Sequence, residues 1–236
     1  MNIFDGFALV LFLIGFVFLS VGILPKLRSF LNHYIQTNKE QKAAAERKKR
    51  QEIKVAQKEA ANRAEEQVSF HLRYLDEKQY FVWNGVYVVH GGMRHEIDHL
   101  IVGSKGLIHV ETKNYSGELR FTPNGIERTK KDSYGNLLKE DVIKDPNAQM
   151  LHHDILFQRL LNDNGLANVP ILGVLCIAND RSTVAGKPQN FDVIKDAALI
   201  SYIQDLPHYE GYSPDLHETL VRLIEKSIEE RKDIAG

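Results

Sequence analysis

The sequence predicts a mixed α/β domain, in which helices flank a central sheet, preceded by a transmembrane helix and a long charged helical linker. Three observations support this prediction. Residues 7–24 contain no charged residue, and residues 26–61 are rich in strong helix formers and lack Gly and Pro. From residue 62 onward, apolar runs typical of strands alternate with apolar residues at helical spacing. We therefore expect three segments, which comprise residues 1–25, 26–61 and 62–236.

The N-terminal apolar segment is predicted to cross a membrane. Counted from residue 3 to residue 24 it has about 22 residues, which is enough to span the hydrocarbon core. A cleaved signal peptide is disfavoured, because no Lys or Arg precedes the apolar run and no small-residue cleavage site follows it. Lys26, Arg28 and the basic cluster at 47–50 all follow the segment. The positive-inside rule then predicts a single-pass protein of the cell (inner or plasma) membrane, with its N-terminus outside and its domain in the cytoplasm.

The charge distribution separates the linker from the domain. Residues 26–63 contain eleven Lys and Arg and four Asp and Glu, whereas residues 64–236 contain nineteen basic and twenty-six acidic residues. The domain is therefore not a generally basic nucleic-acid binder, and any such binding must depend on a local site. The linker is either a coiled coil that would make a homo-oligomer or a charged spacer. The single cysteine, Cys176, excludes an intrachain disulfide and agrees with a reducing compartment.

The domain elements follow from local patterns along the chain. Val68, Leu72 and Leu75 recur at helical spacing, and Glu65 lies one turn before Val68. The remaining elements are predicted in this order: a strand at 80–89, a hairpin at 96–113, a small hairpin-like excursion at 118–139, a helix opened by Asp145-Pro146, a buried strand of the parallel type at 169–178, a polar loop at 179–189, a short strand at 197–200 and a helix at 214–232.

The hairpin carries the most informative residues of the chain. Its two apolar runs meet at Ser104-Lys105, so Gly103 is expected to pair with Gly106. Counting outward from that pair places Asp98 directly opposite Glu111, and alternation along the strand places Lys113 on the same face. Like charges at directly opposed positions are destabilising. A divalent metal ion between the two carboxylates would remove that cost, whereas the alternative is an exposed, salt-bridged strand pair.

The donor atoms of this pair suit a hard cation. Carboxylate oxygens of Asp98 and Glu111, with the backbone carbonyl of Thr112 as a further ligand, are the donors that Mg²⁺ and Mn²⁺ prefer. Such an ion activates water and neutralises charge on a phosphoryl group. Lys113 would hold the attacking water or neutralise charge in the transition state.

The spacing D-x(12)-E-x-K within a hairpin resembles the PD-(D/E)xK nuclease superfamily, and more narrowly the nuclease-related domain (NERD) family. The resemblance covers residues 64–178, and Ala64 stands where family members often have Gly. It implies a restriction-endonuclease-like core, with Asp98, Glu111 and Lys113 in the catalytic centre. Glu65 and Gln149 would assist, one of them the metal and the other the substrate or Lys113; Glu65 is the candidate additional metal ligand. The motifs are Glu65-x-x-Val68, Glu96-Ile97-Asp98-His99, Val110-Glu111-Thr112-Lys113-Asn114 and Asp145-Pro146-Asn147-Ala148-Gln149.

The predicted function is that of a membrane-anchored, Mg²⁺-dependent nuclease that hydrolyses phosphodiester bonds, with DNA as the expected partner. One alternative is a non-catalytic module that binds nucleic acid or protein. A second is a zinc protease, since His95-Glu96-x-x-His99 matches H-E-x-x-H, although that motif needs a helix and the sequence predicts a strand. A local positive rim would favour nucleic acid; the candidates are Arg94, Lys105, Arg128, Lys130 and Lys131.

Overall fold

The computed structural model describes residues 14, 16, 17 and 24–229. The chain divides between Lys58 and Glu59 into two compact units. In the part of the chain that is described, no helix is long and apolar enough to cross a membrane. The segment predicted to be the anchor, residues 3–24, lies outside the described residues except at 14, 16, 17 and 24, so the anchor stays a prediction.

The secondary structure contains one long helix, followed by strands and three shorter helices. The helices are α1 (Leu24–Leu72), α2 (Asn147–Asp163), α3 (Asp196–Asp205) and α4 (Pro214–Ser227). The strands are β1 (Tyr80–His90), β2 (Met93–Gly103), β3 (Gly106–Lys113), β4 (Gly117–Thr122), β5 (Gly125–Lys131), β6 (Leu137–Ile143), β7 (Ile171–Ile177), β8 (Ser182–Ala185), β9 (Asp192–Lys195) and β10 (Ile228–Glu229).

A six-stranded mixed sheet forms the centre of the second unit. Its strand order is β10-β1-β2-β3-β7-β9, in which β3, β7 and β9 run parallel and the other neighbours are antiparallel. The predicted hairpin is confirmed in its register, because Gly103 pairs with Gly106 and the ladder continues to His99 opposite Val110. The predicted parallel strand is also confirmed, since β7 pairs in parallel with β3.

Helices cover both faces of this sheet. On one face, the side chains of α1 and α3 that join the core are Ala64, Val68, Leu72, Leu199 and Ile203. On the other face, those of α2 and α4 are Leu156, Phe157, Leu160, Leu161, Leu220 and Ile224. The arrangement is the predicted mixed α/β fold, in which burial of apolar surface on both faces stabilises the central strands.

A second sheet of four strands, ordered β6-β5-β4-β8, lies after β3 in the chain. The prediction of a small hairpin-like excursion was too modest, because β4, β5 and β6 form a three-stranded meander that extends to Ile143. The predicted loop at 179–189 was wrong in part, since β8 lies within it and pairs in parallel with β4. Leu119 and Ile126 of this sheet pack against Met150 of α2 and Leu175 of β7.

Two C-terminal predictions need correction. The segment 197–200, predicted as a strand, belongs to helix α3, and the strand of this region is β9, which ends at Lys195. Asp196 occupies the first turn of α3, where a carboxylate is favourable to the helix dipole. The last helix ends at Ser227 rather than at 232, because the chain continues as β10 beside β1.

Candidate functional site

The hairpin of β2 and β3 sets the positions of Asp98, Glu111 and Lys113. Its pairs all follow one register, and the last of them is His99 with Val110. Asp98 and Glu111 are the residues that follow this last pair on the two strands, counted outward from the turn. Glu111 and Lys113 are two residues apart on β3, so their side chains share a face. This is the face that α2 covers, because Leu107 of the same alternating set packs with Leu156 and other α2 side chains.

The alternation of β2 changes at Asp98. The β1–β2 ladder pairs Asn84 with His99 and Val86 with Ile97, but it omits Gly85 and Asp98 between them. Gly85 has φ of 60°, a conformation that L side chains rarely adopt. As a result Ile97 and Leu100, three residues apart, pack in the same core cluster, which strict alternation would forbid. Irregularities of this kind re-aim side chains next to functional sites.

Glu111 is the most buried carboxylate of the site. Only 1 % of the residue is exposed, and Lys113 Nζ donates to its Oε1. Burial, followed by repulsion from Asp98, raises the pKa of Glu111 to about 7, although Lys113 and the Gln149 amide act in the opposite direction. Its Oε2 is buried, yet no donor in the described part of the chain meets it at hydrogen-bond geometry. Burial of the Glu111 carboxylate therefore has a free-energy cost that its hydrogen bonds offset only in part.

Asp98 is held against the backbone of β3. Its Oδ2 accepts a hydrogen bond of 2.7 Å from the backbone N–H of Thr112. Burial raises the pKa of Asp98, while this hydrogen bond and the charge of Lys113 lower it in part. The N–H and C=O of one strand residue point to the same side, so the Thr112 carbonyl also points toward β2 and Asp98. The role of the Thr112 carbonyl as a metal ligand stays a prediction.

Lys113 is the cation of the site. Its side chain is 27 % exposed. Burial alone would lower the pKa of Lys113, but attraction to Glu111 and Asp98 outweighs burial, and the net shift is upward. The lysine is therefore protonated at neutral pH and acts as a hydrogen-bond donor and positive charge rather than as a base.

The donor set fits a small hard cation. A divalent ion would bind two buried carboxylates with raised pKa values, an unpartnered buried oxygen on Glu111 and a neighbouring carbonyl. Its charge would offset the cost of ionising Glu111, which burial and repulsion from Asp98 increase. Within residues 24–229 no group of three or more His, Cys, Asp or Glu side chains is arranged to hold a metal. Carboxylate and carbonyl oxygens are donors of the kind that Mg²⁺ and Mn²⁺ take, and Mg²⁺ retains several waters and needs few protein ligands.

The two predicted helpers occupy separate helices. Gln149 lies in the first turn of α2, and its amide acts on the Glu111 carboxyl. Glu65 lies half-buried on α1, between Ala64 and Val68, both of which are buried in the core. This part of α1 is tied to the end of β3 by a hydrogen bond of 3.0 Å from Asn114 Nδ2 to the Ala60 carbonyl. The structure thus brings Gln149 to the carboxylate, and the role of Glu65 stays a prediction.

The histidines of the zinc motif lie on a strand. His95, Glu96 and His99 all belong to β2. His99 is fully buried, and burial lowers its pKa to about 4. Its Nδ1 meets Asn84 Oδ1 at 2.7 Å, and its Nε2 meets Thr112 Oγ1 at 3.0 Å. Both ring nitrogens are therefore engaged, and the helical geometry that the zinc motif requires is absent from this segment.

Sequence reasoning missed a polar layer beneath the site. His109, two residues before Glu111 on the same face, is fully buried, and its Nε2 meets Asp154 Oδ1 of α2 at 2.7 Å. The ring of His153 packs against that of His109 with centroids 5.4 Å apart. Burial lowers the pKa of His153 to about 3, so its ring is neutral. The period-2 pattern that links His109 to Glu111 was the available signal.

The predicted positive rim is only partly present. Lys105 is buried at the far end of the hairpin, where its Nζ donates to the Leu206 carbonyl. Arg94 binds Glu229 and stacks over the ring of Tyr87. These two residues do not form part of a rim. Arg128, Lys130 and Lys131 lie together on β5.

The comparisons with known proteins agree with this geometry. Residues 60–178 match the sequence model of the nuclease-related domain, and this range contains every residue of the site, Glu65 and Gln149 included. No protein of curated function matches the chain.

Proposed function

Because this chain belongs to the nuclease-related domain family, we propose that it is a metal-dependent nuclease with its reaction centre at Asp98, Glu111 and Lys113. The family is consistent with the PD-(D/E)xK superfamily, and the mixed sheet flanked by helices is consistent with that fold. The observation that carries the proposal is the buried Glu111 carboxylate, which faces Asp98 and has an oxygen without a partner in the described structure. DNA is the proposed substrate, and Mg²⁺ or Mn²⁺ is the proposed cofactor.

Each residue has a distinct role in this proposal. Asp98, Glu111 and the Thr112 carbonyl would hold the ion, which when bound supplies an activated water and neutralises charge on the phosphoryl group. Lys113 donates a hydrogen bond from a permanently charged ammonium, and so would hold the water or stabilise the negative charge of the transition state. Gln149 favours the ionised form of the Glu111 carboxyl, because its amide opposes the upward shift of that pKa. Glu65 would assist from α1.

The test is a cleavage assay of the full-length chain on linear, nicked and single-stranded DNA and on RNA, with Mg²⁺ or Mn²⁺ and with EDTA. We expect metal-dependent cleavage that falls at least about a hundredfold in Lys113→Ala and in Glu111→Gln. Glu127→Gln, which changes an exposed acid of β5, is the matched control and should retain full activity. Cleavage that survives both site substitutions would remove the proposed mechanism.

The second candidate function is a non-catalytic binding module on the same fold. The net charge of residues 64–236 is negative, which does not favour general nucleic-acid affinity. The same assay separates the two functions, because a module of this kind binds DNA without cutting it in any metal.

A further inference from the structure

Two lysines of the second sheet lie directly opposite each other. The β5–β6 ladder pairs Lys130 with Lys139. Like charges at directly opposed strand positions destabilise a sheet, since their Cβ atoms are only about 5 Å apart. Lys139 contacts Asp141 at 2.6 Å, but Lys130 makes no ion pair within residues 24–229. The pair is thus incompletely neutralised by the domain itself.

A third cation extends this pair. Arg128 lies two residues before Lys130 on β5 and therefore shares its face. It donates two hydrogen bonds to Asp141, of 2.8 and 2.5 Å. Arg128 and Lys139 thus share one carboxylate and Lys130 contacts none among the described residues, which leaves two positive charges in excess. We call Arg128, Lys130 and Lys139 the cationic face.

The reverse face of the same sheet has the opposite sign. Glu118, Thr129 and Glu140 lie in one row across β4, β5 and β6. The lysine on this side, Lys131, forms an ion pair of 2.8 Å with Glu118. Arg120, which pairs with Glu127, is also on this side, so that three acids face two cations here. A negative partner would meet an excess of positive charge on the cationic face only.

The cationic face is on the side of the second sheet that packs next to the candidate site. Ile126, two residues before Arg128, and Leu119, paired with Arg128, are buried against Met150, the neighbour of Gln149. The stem of Lys130 lies close to the backbone at Gly117, where a Cβ would be 3.1 Å from Lys130 Cγ.

Gly117 follows Lys113 by only four residues, and Tyr115 lies between them. Its hydroxyl donates to the Lys144 carbonyl at 3.3 Å, and its ring packs in the same cluster as Leu119. Burial raises the pKa of Tyr115, and the charges of Lys113 and Arg128 both act on it in the opposite direction. Tyr115 therefore lies close enough to both Lys113 and Arg128 for their charges to affect its pKa.

We propose that the cationic face binds the phosphodiester backbone of the nucleic acid whose cleavage is proposed above. This inference rests on the proposed function for its substrate. Phosphate contacts from Lys and Arg supply most of the sequence-independent affinity for nucleic acid. A polyanion also resolves the Lys130–Lys139 repulsion, because its phosphates replace the missing carboxylates.

The test is binding of a short fluorescein-labelled DNA duplex by the full-length chain in EDTA, measured by anisotropy over a range of salt concentrations. The variant is Lys130→Gln with Lys139→Gln. We expect its Kd to rise about tenfold and the slope of log K against log salt to fall by about 1.8, because each lost phosphate contact removes about 0.9. The matched control is Lys131→Gln, which removes a lysine of the reverse face. It should change the Kd and the salt slope much less than the double variant does.

The outcomes distinguish this inference from the proposed function. Unchanged Kd and slope in the double variant, an equal effect in Lys131→Gln, or binding to anionic lipid vesicles but not to DNA would overturn the cationic face as a nucleic-acid surface, even if the wild type cleaves DNA. Lysine-dependent binding without cleavage in Mg²⁺ or Mn²⁺ would support the face and overturn the nuclease. The double variant should unfold at the same or a higher temperature, because its change removes a repulsion.

Discussion

Substitution of Glu111 by Gln should change how the stability of the metal-free protein depends on pH. The carboxyl has a folded pKa of about 7 against an ordinary value of 4.5, because it is buried and faces Asp98. A carboxyl whose pKa is raised by folding contributes stability below its unfolded pKa, and this contribution is lost as pH rises through the folded pKa. The loss therefore falls between pH 4.5 and pH of about 7.

The size of the effect follows from the shift. One pKa unit corresponds to about 1.4 kcal/mol, so the full shift of this carboxyl is worth roughly 3 kcal/mol. Between about pH 5 and about pH 8, linkage gives a loss of roughly 2.5 kcal/mol in wild type that a neutral Gln does not show. His99 and His153, whose pKa values are lowered by burial, have the opposite dependence on pH. They are present in both proteins and cancel in the comparison.

The assay is urea unfolding of wild type and Glu111→Gln in EDTA across this pH range. We expect the difference in unfolding free energy to move toward the variant by roughly 2.5 kcal/mol as pH rises. Glu127→Gln, which changes an exposed acid of β5, is the matched control. Addition of Mg²⁺ at about pH 8 should stabilise wild type and not the variant, because only ionised Glu111 offers the ligand. A difference that is flat with pH for Glu111→Gln would refute the reasoning.

Three further predictions follow from other buried groups. Cys176 is fully buried and burial raises the pKa of its thiol, so a thiol reagent should react with it only in denaturant; reaction of the native chain at the unfolded rate would contradict its placement. His99→Leu should lower the unfolding free energy by roughly 1–3 kcal/mol, because it leaves the buried Thr112 hydroxyl without its partner and removes the contact with Asn84, and it should leave zinc content unchanged. Stoichiometric zinc that is lost in this variant would instead support the metalloprotease. Gln149→Ala removes a group that lowers the pKa of Glu111, so the Mg²⁺ requirement for cleavage should shift to higher concentration near neutral pH, and an unchanged requirement in a metal titration would place Gln149 outside the site.

The hairpin could be predicted because its information is local. Two apolar runs and a two-residue loop fix the Gly103–Gly106 pair, and alternation then places Asp98, Glu111 and Lys113 without knowledge of the remaining fold. The parallel strand β7 was predictable for a similar reason, since a continuous apolar run marks a strand buried on both faces.

The errors lie where distant parts of the chain decide the structure. Strand β8 exists because it pairs with β4, more than sixty residues earlier, and its own four residues are too few to show a strand pattern. The short apolar run at 197–200 fits a strand or a helix equally well by periodicity. Helix α3 is fixed by Asp196, whose carboxylate accepts from Gln67 Nε2 at 2.5 Å and meets His71 Nδ1 at 2.9 Å. These partners are on α1, so the sequence around Asp196 could not predict the contacts.

The change of alternation at Asp98 was also outside the reach of simple counting. A strict period of two across β2 predicts that Ile97 and Leu100 face opposite sides, whereas both pack beneath α2. Gly85 on the neighbouring strand was a signal of a bulge, because an isolated glycine in a strand pattern often marks one. Counting from the turn is confirmed as far as His99, because the β2–β3 register is regular from the turn to that residue.

The turn of the hairpin determines on which face of the sheet the distant residues Glu111 and Lys113 lie. Lys105 Nζ donates to the Leu206 carbonyl, and the Ser104 carbonyl accepts a hydrogen bond of 2.8 Å from the Tyr209 N–H. Glu111 lies roughly 20 Å away along β3, at about 3.3 Å per residue. An insertion of one residue at the turn would nevertheless rotate Glu111 and Lys113 out of the site and into the apolar layer under α1, since a strand slip of one residue exchanges its faces. Inactivating substitutions should therefore be found at both ends of this hairpin, and those at the turn will act without touching a metal or a substrate.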